Sequence, residues 1–194
     1  MSTVIDTLIY DRTQADVNRV FILKNKILTK GLNALSAEEK AEYMAGMKGA
    51  YNASDLNRVG QAIAYIADLL NGYGYSVQVY PKTDWTMSDT PTPEQLEQYL
   101  ANVAALRQAL LVLPTTPEVP ADMEGLTIQE ANDIEKILVD IDRQLTSMRE
   151  VMLHAAQPFL CCGCAVYLPK EHLQVYTADD LPVDTADGKP VYAW

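Results

Sequence analysis

Two long apolar stripes constrain this chain more than any other feature. Leu96, Tyr99, Val103, Leu106, Leu110 and Leu113 recur in steps of three and four. Ile134, Leu138, Ile141, Leu145, Met148 and Met152 repeat the pattern further on. Alternating threes and fours are the heptad spacing of one helix face, and such a face needs partner helices of matching pitch. A last helix of roughly 26 to 30 residues would span about 40 to 45 Å, longer than a small core covers. The stretch "PTTPEVPADMEG" between the stripes lets the two helices fold back as an antiparallel hairpin; a second copy of the chain is the other way to cover them.

Capping signals fix where the helices start. Thr13 with Asp16 opens a helix to about Leu28, with Val17, Val20, Phe21, Ile27 and Leu28 expected on one side. Ser36 with Glu39 opens a short one, and Ser54 begins a third that carries Leu56, Val59, Ile63, Ile66 and Leu70 to a stop at Gly72 and Gly74. Thr92, Pro93 and Gln95 start the first heptad helix, and Thr127 with Glu130 starts the second. "YSVQVY" alternates like a short strand, and "PKTDWTMSDTPTP" reads as a loop. After Gln157 the period changes, and "CAVYL", "LQVY" and "PVYAW" read as a small antiparallel β appendage with a turn at Asp187-Gly188. The expected fold is therefore mainly α: a helical bundle or hairpin with heptad-patterned long helices and a small C-terminal β element. Its expected divisions are an N-terminal helical region with a strand and loop over 1–90, the long helical pair over 91–157, and the appendage over 158–194.

Charge narrows the partners. With 15 Lys and Arg against 26 Asp and Glu, the net charge is −11, which argues against nucleic acid and against anionic membrane surfaces. The start "MSTVIDTLIYDRTQ" has neither a basic leader nor an apolar run, and nothing approaches a membrane span, so a soluble product of the cytosol is expected.

All three cysteines sit in "PFLCCGCAVYL", residues 158–168. In a strand, Cys162 and Cys164 share a face and Cys161 takes the other. A zinc site would need Cys162 and Cys164 with His154 and His172. There is no Cys-x-x-Cys spacing, so the favoured role is small apolar packing with no metal and no cofactor. Two histidines, no nucleophile elbow, no phosphate loop and no dinucleotide fingerprint give no catalytic residue, and a non-enzyme is expected. The carboxylates Glu130, Asp133, Glu135, Asp140 and Asp142 read as solvated helix surface. One echo stands out: "DVNRV" at 16–20 and "DLNRV" at 55–59 place Asp and Arg three apart. The sharper reading of it is that Arg19 and Arg58 anchor a polar network where the N-terminal helices meet.

"YDRTQADVNRV", "KGAYNASDLNRV", "GYSVQVYPKTDW" and "LTIQEANDIEKIL" resemble a family of small proteins encoded in the tail and baseplate regions of phages and prophages of Firmicutes. The likeness covers roughly residues 8 to 150. It implies a virion structural or tail-associated component, without catalytic residues to carry over. The chain departs from that family after about residue 150, where a short Gly-rich ending is expected and the cysteines and β-like segment stand instead. If relatives share a helical module and vary the end, specificity resides in the end.

The expectation is thus a virion protein that assembles with itself, as a trimer by analogy with virion symmetry, and with other tail or baseplate proteins. Ile134, Leu138, Ile141, Leu145 and Met148 would form the seam between copies. Tyr167, Tyr176, Tyr192 and Trp194 would dock the neighbour, since aromatics dominate interface energetics. The alternatives are a zinc-stabilised protein-binding module and a non-virion phage protein acting on host proteins.

Overall fold

The computed structural model describes residues 4–111 and 113–155, the side chains of 152–155 excepted. Its helices begin where the capping chemistry places them. Thr13 caps α1 (Gln14–Lys30) and Ser36 caps α2 (Ala37–Ala45), each exchanging bonds with an acidic residue three positions on. Thr92 and Gln95 do the same for α4 (Pro93–Ala109), and Thr127 and Glu130 for α5 (Ile128–Ala155). Each box satisfies two of the backbone N–H groups that a helix start leaves unpaired. Only α3 (Ala53–Gly72) starts earlier than expected: Asn52 caps it with Asp55 as the reciprocal partner. Ser54 instead donates its hydroxyl to the Asn52 side chain.

The described residues are mainly helical and contain no strand. "YSVQVY" corrects the expectation of one, because no second strand pairs with it. Side-chain amides take the place of a ladder: Asn71 donates to the Val77 carbonyl (3.0 Å) and accepts from its N–H (2.9 Å). Asn102 on α4 accepts from the Tyr80 N–H at 2.9 Å. The segment then docks on α3, where Asn57 bonds both backbone groups of Trp85 at 2.7 and 2.8 Å.

Burial follows the third helix as read, with Leu56, Val59, Ile63, Ile66 and Leu70 all inside. On α1 the phase differs. Leu23 is fully buried and packs with Val20 and Ile27 against Leu35 and Met47, whereas Phe21 and Leu28 are 56% and 73% exposed. The inward stripe centres on Leu23, three residues after Val20 and four before Ile27, and this turns the other two outward.

Among the described residues α4 makes a close backbone approach to α3, and α5 meets the segment that follows α4, where the Gln144 amide donates to the Leu111 carbonyl at 2.6 Å. α5 does not bury only a seam. Ile134, Leu138, Ile141 and Leu145 are inside, and so are Ile137 and Val139, which at 100° per residue lie about 200° apart around the axis. A helix buried on several faces is a central element of its own chain's core. The α4 stripe ends with its helix at Ala109, leaving Leu113 54% exposed.

Residues 1–146 form one compact unit, so the expected boundary at 90/91 falls inside it, and a second unit begins at Ser147. The expected β appendage over 158–194 lies outside the described residues. No described helix is long and apolar enough to cross a membrane.

Two glycines mark close crossings. A Cβ on Gly49 would lie 2.3 Å from the Asp16 carbonyl, and one on Gly60 would lie 2.6 Å from the Lys82 carbonyl oxygen. Backbone cannot retreat as a side-chain tip can, so Gly60→Ala should lower stability by about 1–3 kcal/mol in a chemical melt, although alanine favours helix. A gain in stability would contradict this packing.

Surface pairs join α1 to α2: Arg19 to Glu42 at 2.8 Å and Lys26 to Glu39 at 2.6 Å. The bonds from Arg19 and Lys26 hold the Glu42 and Glu39 carboxyls below their ordinary 4.5, and the Thr13 hydroxyl holds Asp16 below 3.8. All three bind protons less readily folded than unfolded, so their contribution is present above that range and lost as pH falls through the lowered values. Thermal midpoints should stay level from neutrality down to about pH 5 and decline below about 4.5; a rise on acidification would contradict the assignment.

Candidate functional site

The densest polar chemistry in the described residues surrounds Arg12, which the segment before α1 carries into the interior. Its Nη2 lies 2.8 Å from Asp55 Oδ1 on α3 and 2.6 Å from Glu135 Oε1 on α5. Its Nε donates to the Lys48 carbonyl at 3.1 Å and its Nη1 to the Ile9 carbonyl at 2.5 Å. The guanidinium also lies 5.2 Å from the centre of the Tyr51 ring, within cation–π range.

Arg58 completes the cluster from one turn along α3. Its Nη2 reaches Asp55 at 2.5 Å and Glu135 at 2.9 Å, and its Nε donates to Glu135 Oε2 at 3.1 Å. Glu135 Oε2 also accepts from the Ile9 N–H at 2.6 Å. Asp55 Oδ2 closes the α3 capping box on the Asn52 N–H. Two cations and two anions thus cancel, and the carboxylates are acceptors for arginine forks on one side and backbone N–H groups on the other.

Burial is nearly complete: the Glu135 side chain is 0% exposed, that of Arg12 3%, and that of Arg58 14%. Charges withdrawn this far from water are tolerated only when paired and hydrogen-bonded. Burial opposes the charge on Arg58, but Glu135 and Asp55 outweigh it and hold the group above its ordinary range. Beside the cluster, Tyr51 and Tyr99 share a 2.5 Å hydrogen bond, and burial raises both phenols above 10, so both keep their protons.

These contacts bind the N-terminal segment, the 48–51 stretch, α3 and α5 into one arrangement. The chemistry of the cluster is that of a clamp.

A small cavity of about 150 Å³ lies between α3, α4 and the docked loop, lined by Tyr80, Trp85, Gln98 and Tyr99 among others. The Trp85 indole N–H is a buried donor without a partner among the described residues. Lys82 Nζ stands 4.8 Å from the Trp85 ring centre.

Glu135 and Asp140, expected on the solvated helix surface, are instead 0% and 7% exposed, the first because two arginines neutralise it. Asp140 accepts from the Thr116 hydroxyl at 3.2 Å and from Lys136. The Asp-Arg echo splits: Arg58 joins the buried network, while Arg19 pairs with Glu42 on the surface. Arg12 has no sequence signal beyond a guanidinium next to a helix cap.

The seam residues are likewise interior. Ile134, Leu138 and Ile141 are 0% exposed and Leu145 1%, and only Met148 is half-buried. As an interface between copies they have no free surface, because the chain's own core occupies them. The alternative ligands Cys162, Cys164 and His172, the His154 side chain, and the docking residues Tyr167, Tyr176, Tyr192 and Trp194 lie outside the described residues. No group of three or more potential metal ligands occurs among the described residues.

No family model, curated protein or solved structure matches this chain.

Removing one member of a buried ion cluster strands its partners. Glu135→Ala should therefore lower unfolding stability by about 3–5 kcal/mol, measured by urea titration, and Arg19→Ala should leave the midpoint nearly unchanged. Equal effects would mean that the cluster is no clamp.

Proposed function

We propose that this chain is a structural part of a phage tail or baseplate region. In this reading the helical unit is a rigid mount, and the segment from 158 onward docks a neighbouring virion protein or fibre through Tyr167, Tyr176, Tyr192 and Trp194. The observation that carries the mount is the Arg12–Asp55–Glu135–Arg58 cluster, whose side chains are saturated by one another and by backbone groups. Such a cluster holds distant segments in one geometry, which an assembling part requires. The phage context comes from the stretches, roughly residues 8 to 150, that resemble tail-region proteins. Copies of the chain associate, in this reading, through surfaces other than the α5 core.

Mass spectrometry of purified particles is the direct test, with the chain expected in stoichiometric amount. Its absence would leave the reading of a phage protein acting on host proteins. A chain ending after Gln157 should keep the helical circular dichroism of the full chain and fail to enter particles. Normal incorporation would sink the docking role of the tail. Stoichiometric zinc, lost on changing Cys162 and Cys164, would move the reading to a metal-stabilised binding module.

A further inference from the structure

Two surfaces of the helical unit that no described residue covers complement each other. The first is a groove of about 730 Å³ between α4 and the segment that leads into α5. Leu96, Leu100, Ala101 and Ala104 line it from α4, and Val119 and Met123 from the facing segment. That segment is held in place by Arg107, which donates to the Pro117 carbonyl at 2.8 Å and to Glu118 at 2.7 Å. The Thr116 hydroxyl anchors it to Asp140 on α5. Glu97, Asp122 and Glu124 also line the groove, no basic side chain does, and none of the three is ion-paired among the described residues. The groove is preformed, apolar and negatively charged.

The second surface is the outer face of α1. Phe21 and Leu28 stand one heptad apart, and Lys24 lies between them at i+3 and i−4, so the three share that face. Ile22 flanks them and is 56% exposed. Lys24 is in no ion pair among the described residues. This face is apolar and positively charged.

We infer that the outer face of α1 in one copy seats in the α4 groove of the next. The inference rests on the reading of the chain as an assembling part. The groove is long enough: Pro93 to Ala104 advances about 17 Å along its axis, against about 10 Å from Phe21 to Leu28. Charge selects the pairing. Copies of a chain at −11 repel one another, and this contact sets Lys24 against Glu97, Asp122 and Glu124. Pairing α1 with α1 would bring like charges to the seam. Because the two surfaces differ, the contact is heterologous, and it closes into a ring, a trimer among them, or continues as a fibre.

Sedimentation velocity on the full chain tests it. The wild type should associate at concentrations on the order of micromolar or above, less so as salt rises. Leu28→Asp spoils the inserted face and Ala101→Trp fills the groove. Both sites are solvent-exposed, so each variant should keep its helical circular dichroism and sediment as a monomer. Mixed, they should form pairs that grow no further, since only one intact face and one intact groove remain. Should Ala101→Trp disturb folding, Glu97→Lys on the rim replaces it. A wild type that stays monomeric, a groove variant that assembles like the wild type, or a mixture without pairs overturns the inference. Association in solution by a chain absent from particles would remove the virion role and leave this contact standing.

Discussion

The Arg12 guanidinium joins segments that the chain keeps far apart. It reaches Asp55 and Glu135, 43 and 123 positions away, and its Nε and Nη1 close on backbone carbonyls of the 48–51 stretch and of its own segment. Only a planar fork with several donors makes all these bonds from one side chain, so lysine is no substitute. The rest of the unit depends on this because α5 passes through the core with a carboxylate at its buried centre. Without Arg12 and Arg58 that carboxylate is an uncompensated charge, and the helix has no stable way to lie inside.

The cluster accounts for the division of labour between polar and apolar groups. Apolar burial on α3, α4 and α5 supplies the driving force but is non-directional, since aliphatic side chains tolerate many arrangements of similar packing. Ion pairs and hydrogen bonds of defined geometry restrict that choice. The same logic recurs at the Trp85 loop, where Asn57, Asn71 and Asn102 satisfy backbone groups that have no strand to pair with. At Gly60, the missing side chain lets that loop approach α3.

Among the described residues, the helical unit also presents apolar surface that stays open. Its most polar chemistry, at Arg12 and Glu135, is closed to solvent, whereas Phe21, Ile22 and Leu28 on α1 face outward.

Much was legible in the residues themselves. Caps at Thr13, Ser36, Thr92 and Thr127 are local reactions between a side chain and a backbone three residues on, and local chemistry is written in local sequence. The buried face of α3 is legible for the same reason, since its apolar period has one solution. Tertiary structure alone decided which faces of α1 and α5 turn inward, because a stripe of threes and fours states that a face is covered without stating by what. It decided as well that Glu135 is a core residue and Arg12 its counterion. A charge is buried or solvated according to what arrives from distant parts of the chain, and no spacing within one helix records that arrival.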